Sequence, residues 1–218
     1  MTRPAAVLFD MDGTLVDTEG LWYEAVVQVG ESIGRPIVPA DYDDILGRPI
    51  DYTAEVLSRT AGPGAPSVEV IATALDDVFA ARVENEIVPR PGALPLLELL
   101  REANIPAAIV TASPRRILTL VKTSLGAELF AATIAVEDTA VTKPAPDPYL
   151  AAAVVLGVDP VACVAVEDTV IGVRAAESAG CAIVMVPTLE PVAGGQRRRV
   201  LESLAQVDLE MLRAVVGE

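Results

Sequence analysis

The stretch Ala5-Ala6-Val7-Leu8-Phe9-Asp10-Met11-Asp12-Gly13-Thr14-Leu15-Val16-Asp17 decides how the rest of the chain is read. Its first five residues are apolar without interruption and stop abruptly at Asp10. A short unbroken apolar run suits a strand buried on both faces, as in a parallel sheet, because nothing in it alternates with solvent. Similar runs recur at Ala107 to Val110, Ala132 to Val136, Val161 to Val166 and Ala182 to Val186. Helical patterns follow these four, near Arg115 to Ser124, Pro148 to Leu156, Gly172 to Ala179 and Arg199 to Leu204. Alternation of this kind predicts an α/β fold with a doubly wound parallel sheet, whose functional groups gather at the carboxyl ends of the strands.

The interval after the first strand breaks the alternation. It carries helical patterns at Leu21 to Ile33 and Val70 to Arg82, no convincing strand, and Pro/Gly punctuation at Gly62 to Pro66 and Pro89 to Gly92. Residues 17–88 are therefore expected to form an inserted helical cap, with residues 1–16 and 89–218 forming the α/β core. An insertion at this point of such a core is expected to hang over the strand ends as a lid.

Composition limits the chemistry. The 218 residues include 31 Asp or Glu against 16 Lys or Arg, for a net charge of −15, and no histidine. Without histidine there is no Ser-His-Asp triad, no Cys-His nucleophile and no His-ligated metal site. The acid excess argues against a nucleic-acid partner, since phosphate backbones need a basic footprint. With 52% hydrophobic residues, a packed core is expected and disorder is not. Cys163 and Cys181 fit no redox or zinc spacing and read as buried free thiols. No leader pattern and no apolar run of roughly 20 residues is visible. A cytoplasmic protein without a membrane partner or an obligate protein partner is the expectation.

Asp10 and Asp12, two apart in extended chain, can face one pocket, and Gly13 frees the backbone to turn after them. Adjacent carboxylates are unfavourable unless a cation or shared proton relieves them, and Mg²⁺ prefers such oxygen ligands. Thr111, Ala112 and Ser113 close the second core strand, where a hydroxyl and helix-start N–H groups can cradle an anion or simply cap the helix. Lys143 is one of only two lysines beside 14 arginines, which suggests that a compact point charge was required there. The tetrapeptide Val-Glu-Asp-Thr occurs twice, at 136–139 and 166–169. The second copy precedes Gly172 and a small-residue helix, so Glu167 and Asp168 are favoured, with Asp138 in reserve.

These motifs resemble the haloacid dehalogenase superfamily, in its capped phosphatase and phosphomutase branch. Asp10 to Thr14 resembles its first motif, Thr111 its second, Lys143 to Asp147 its third, and Glu167-Asp168 with Gly172 its fourth. The resemblance implies an aspartyl-phosphate on Asp10, acid and base roles for Asp12, and phosphoryl binding by Thr111, the Ala112 and Ser113 backbone, and Lys143. It also implies Mg²⁺ held by Asp10, the Asp12 carbonyl and Asp168, with Glu167 supporting through water. A phosphonoacetaldehyde hydrolase would need a cap lysine, and none precedes Lys122. A β-phosphoglucomutase would place a histidine where Trp22 stands. A Mg²⁺-dependent phosphatase for a small phosphorylated metabolite, such as a sugar or sugar-alcohol phosphate, is therefore favoured over a sugar phosphomutase. A phospho-aspartate receiver or binding module is a remote alternative, since receivers are about half this length and lack a cap. Glu19, Trp22, Tyr23, Arg48 and Tyr52 are the cap candidates for substrate selection. The Arg197-Arg198-Arg199 run reads as a solvated helix start.

Overall fold

The computed structural model describes residues 3–45, 48, 50–187 and 194–217. The chain divides into two compact units, one of residues 1–16 with 88–218 and one of residues 17–87. In chain order the elements are β1 (Ala6–Phe9), α1 (Glu19–Ser32), α2 (Tyr42–Ile45), α3 (Ile50–Thr60), α4 (Val68–Glu86), α5 (Ala93–Glu102), β2 (Ala107–Val110), α6 (Arg115–Leu125), β3 (Ala132–Ile134), α7 (Asp147–Leu156), β4 (Cys163–Glu167), α8 (Val170–Ser178), β5 (Ala182–Met185), β6 (Arg198–Val200) and α9 (Leu209–Gly217).

The first unit is an α/β sheet in the order β3-β2-β1-β4-β5-β6, parallel at every pairing. The unbroken apolar runs explain this. β1, β2, β4 and β5 are buried at every residue, which only helices on both faces allow. On one face Leu8, Ala108, Ala165 and Ile183 pack with Tyr149 and Ala152 of α7 and Val173 and Ala176 of α8. The small side chains of α7 and α8 let these helices lie close to the strands. β1 sits between β2 and β4, with Phe9 beside Ile109 and Val166, so the chain leaving β1 emerges next to the ends of both neighbours.

The sixth strand is a correction. Residues near Arg199 were expected to be helical, yet Arg198–Val200 pairs with β5, Ile183 facing Arg198 and Met185 facing Val200. Arg197 turns the chain with φ 54° and donates to the Gly180 and Val161 carbonyls, while Arg198 pairs with Glu177. The arginine run is thus tied to the core by long-range bonds that outweigh its local helical preference. Cys163 and Cys181 are both buried and free. Burial pushes their thiols up to about 11 and about 12.

The second unit is helical: α1 and α3 both pack on α4. Inside it, Arg35 holds Asp41 through two hydrogen bonds of 2.5 and 2.7 Å, and Asp41 also accepts from the Val38 N–H. These bonds keep Asp41 ionised far down the pH scale, to about 2. No helix among the described residues is long and apolar enough to cross a membrane.

Candidate active site

The Asp10 N–H donates to the Val166 carbonyl at 2.9 Å, which fixes Asp10 at the junction of β1 and β4. Gly13 then takes φ 82°, and its N–H reaches back to the Val16 carbonyl at 2.8 Å, closing a tight loop over residues 12–16. Glycine is required at 13 on two counts. The left-handed backbone disfavours a side chain, and a Cβ there would stand 2.2 Å from Asp168 Oδ2. Arg90 anchors the far side of the loop by donating its N–H to the Leu15 carbonyl.

Two groups of side chains form around this loop. In the first, Lys143 Nζ donates to Asp10 Oδ1 and to Glu167 Oε1, each at 2.6 Å. Asp10, Glu167 and Asp168 each present a carboxylate oxygen within 4.8 Å of the others. All three are buried, Glu167 completely. Thr14 Oγ1 donates to Asp168 Oδ1 at 3.3 Å. In the second group, Asp12 Oδ2 accepts from Thr111 Oγ1 at 3.0 Å and from Ser113 Oγ at 2.7 Å. The Ser113 N–H donates to Thr111 Oγ1, so this hydroxyl is oriented toward Asp12.

The electrostatics follow from burial. Removal from water pushes the Asp10 carboxyl well above its usual range; Lys143 opposes this, and Glu167, Asp168 and Asp12 reinforce it. Burial alone would weaken the Lys143 ammonium, but the Asp10 and Glu167 carboxylates outweigh it and hold its pKa above the ordinary lysine value. The Asp10 and Glu167 carboxylates share the Lys143 ammonium, and the buried Asp168 carboxylate presents an oxygen within 4.8 Å of both. A hard divalent cation fits these clustered oxygen donors and would offset the repulsion between them.

The duplicated tetrapeptide is resolved by strand pairing. β4 runs beside β1, which brings Glu167 and Asp168 to Asp10. The earlier copy leaves β3 in a tight turn, where Asp138 binds Arg115 and the Ala135 N–H. Glu137 accepts from the Arg115 N–H with both oxygens at 3.0 Å. The first turn of α6, read from sequence as either an anion cradle or a capped helix start, is partly capped by Glu137. Ala112 is exposed beside it.

Cap candidates lie in the second unit. Trp22 is buried, donates its indole N–H to the Ile45 carbonyl at 3.1 Å and meets Phe79 edge-on at 5.4 Å, so it braces α1 against α2 and α4. Glu19 is half-buried at the start of α1. Tyr23 lies against Tyr42. Arg48 is exposed, its guanidinium 5.4 Å from the Tyr52 ring centroid; its neighbours Gly47 and Pro49 lie outside the described residues.

Sequence reading missed three participants: Thr14, Thr169 and Tyr149. Thr169 caps α8 by accepting from the Gly172 N–H and turns its hydroxyl toward Glu167. Tyr149 donates its hydroxyl to Glu167. A lone phenol in the largely apolar helix Asp147–Leu156 was the available signal, since a buried tyrosine hydroxyl needs a partner.

Residues 4–180 match the family described as haloacid dehalogenase-like hydrolase. Hexitol phosphatase B of Escherichia coli (strain K12) is 32% identical over 211 residues, covering 96% of this chain and 94% of that protein. The phosphorylated carbohydrates phosphatase of Thermotoga maritima is 33% identical over 190 residues, covering 80% of this chain and 81% of that protein. CbbY from Rhodobacter sphaeroides, solved in complex with phosphate, is similar with a TM-score of 0.79 and 29% identity, over 93% of this chain and 96% of that one. With a match that spans most of its length and with acidic strand ends converging on one lysine, this chain belongs to the haloacid dehalogenase-like hydrolases.

Proposed function

We propose that this protein is a Mg²⁺-dependent phosphatase that hydrolyses a small sugar or sugar-alcohol phosphate through a phosphorylated Asp10. The observation that carries this reading is the Lys143 bridge between Asp10 and Glu167, with Asp168 beside them and Asp12 held apart by two hydroxyls. One carboxylate is thus paired with a cation and poised as a nucleophile. The other is hydrogen-bonded at the edge of the same loop, where it can handle protons.

In the first half-reaction an Asp10 oxygen forms a bond to phosphorus as the bond to the leaving oxygen breaks, and Asp12 gives its proton to that oxygen. In the second, Asp12 takes a proton from water; the water oxygen attacks phosphorus, releasing phosphate and restoring the Asp10 carboxylate. Lys143, Thr111, Ser113 and the Ala112 backbone hold the phosphoryl oxygens, so that catalysis rests on positioning and charge. Mg²⁺, held by Asp10, Asp168 and the Asp12 carbonyl with Glu167 behind them, would supply positive charge against those oxygens. Substrate preference is assigned to Glu19, Trp22 and Arg48, all in the inserted unit.

Similarity to relatives named hexitol phosphatase B and phosphorylated carbohydrates phosphatase supports polyol and sugar monoesters as the substrate class. The test is release of inorganic phosphate from a panel of such monoesters, with Mg²⁺ and with EDTA. Metal-dependent release that disappears in Asp10→Asn is expected. Interconversion of sugar 1- and 6-phosphates without free phosphate would replace the hydrolase reading by a mutase.

A further inference from the structure

We propose that the Tyr149 hydroxyl is a positioning group, which fixes Lys143 against Asp10 by locking the Glu167 carboxylate; the catalytic part of this inference rests on the phosphatase reading above. Tyr149 is fully buried in α7. Its hydroxyl donates to Glu167 Oε1, the same oxygen that accepts Lys143 Nζ at 2.6 Å. Its ring centroid lies 5.1 Å from Lys143 Nζ, within range of a cation–π contact. One side chain therefore touches both members of the Lys143–Glu167 pair.

The need for such a group follows from the chemistry of glutamate. The last torsion of a glutamate side chain is broad, so packing by itself does not set the plane of the carboxylate. Glu167 has no exposure to water that could complete its hydrogen bonds. On its Oε2 side, Thr169 Oγ1 stands at 3.5 Å, and the absence of a side chain at Gly172 leaves room, since a Cβ there would lie 1.9 Å from Oε2. The short bonds are all on Oε1, from Tyr149 and Lys143. Removing the phenol leaves Oε1 with a vacant acceptor direction, into which the three-donor ammonium of Lys143 can turn away from Asp10. Tyr149 follows Lys143 by six residues, so the segment that delivers the lysine also delivers the group that holds its partner.

The test is Tyr149→Phe, which keeps the ring and removes the hydroxyl. Kinetics should show kcat lowered by about tenfold to a hundredfold, the span of a lost hydrogen bond to a charged group, with KM unchanged because Tyr149 meets no substrate. A second readout needs no substrate. The chain has only two lysines, Lys122 and Lys143, so ¹⁵N spectra of lysine ammonium groups resolve Lys143 as the slowly exchanging signal. Tyr149→Phe should shift that signal and speed its proton exchange. An unchanged Lys143 signal, or an unchanged kcat in an active enzyme, would overturn the proposal. If wild-type protein releases no phosphate from any monoester, the phosphatase reading fails while the ammonium spectrum still decides the role of Tyr149. If Tyr149→Phe does not fold, wild-type protein labelled with fluorotyrosine carries the test: the more acidic Tyr149 hydroxyl should shift the Lys143 signal, and an unmoved signal overturns the proposal.

Discussion

The Asp168 carboxylate occupies the space that a side chain at Gly13 would fill, with Oδ2 2.2 Å from the position of a Cβ. Gly13 also holds φ 82°. Gly13→Ala is therefore expected to cost about 1–2 kcal/mol from the left-handed backbone alone, and to displace Asp168 from Asp10. Thermal unfolding and phosphate release, measured on the same preparation, should both fall. Activity should fall further than the stability loss explains, because Asp168 belongs to the acidic cluster.

Asp12→Asn keeps an oxygen to accept from Thr111 and Ser113 but cannot carry a proton. A fall in kcat of roughly 10²–10⁴ is expected, the usual worth of general acid–base catalysis. The fall should be smaller for p-nitrophenyl phosphate, whose leaving oxygen needs no proton, than for an alkyl phosphate. Equal falls for both substrates would remove Asp12 from the proton-transfer role.

Lys143 neutralises part of a buried cluster of three carboxylates. Replacing it in Lys143→Met leaves Asp10 and Glu167 without their ammonium, at a cost of about 3–5 kcal/mol without metal. The pH dependence has a definite sign. Loss of the ammonium removes the influence that lowers the Asp10 carboxyl, already raised by burial. A carboxyl with a raised folded-state value stabilises the fold at low pH and loses that contribution as pH rises. Urea unfolding of Lys143→Met in EDTA should therefore show more stability at pH 5 than at pH 8, and Mg²⁺ should recover part of the deficit.

In the helical unit the sign reverses. Asp41 is held at about 2, below its ordinary 3.8, first by the Arg35 side chain and then by the Val38 N–H. A depressed carboxyl contributes stability above its unfolded value and loses it as pH falls through the folded one. Arg35→Gln should destabilise the protein at pH 6, and the deficit relative to wild type should shrink between pH 4 and pH 2. A deficit independent of pH would show that Arg35 acts by packing alone.

Local pattern carried much of the architecture. Ala5 to Phe9, Ala107 to Val110 and Ala182 to Val186 are apolar at every position because both faces of their strands are covered, so burial is written directly into composition. Arg198–Val200 carries no such mark. It is an edge strand with partly exposed side chains, and its membership depends on the register with β5 rather than on its own residues. Tyr149 escaped notice for a related reason. Its partner, Glu167, is 18 residues away, and nothing in the sequence of α7 indicates which face meets β4.

By itself the sequence determined the class of fold, through unbroken apolar runs alternating with helical patterns, and the kind of chemistry, through carboxylates and one isolated lysine in a chain without histidine. The sequence favoured the second Val-Glu-Asp-Thr copy only through the Gly172 that follows it, and tertiary structure supplied the physical reason. The two copies are identical as local strings, yet one leaves a strand paired with β1 and meets Asp10, while the other leaves β3, which β2 separates from β1, and binds Arg115. Strand order is a non-local property, set by how distant segments pack, and it is strand order that brings the second copy, and not the first, to Asp10.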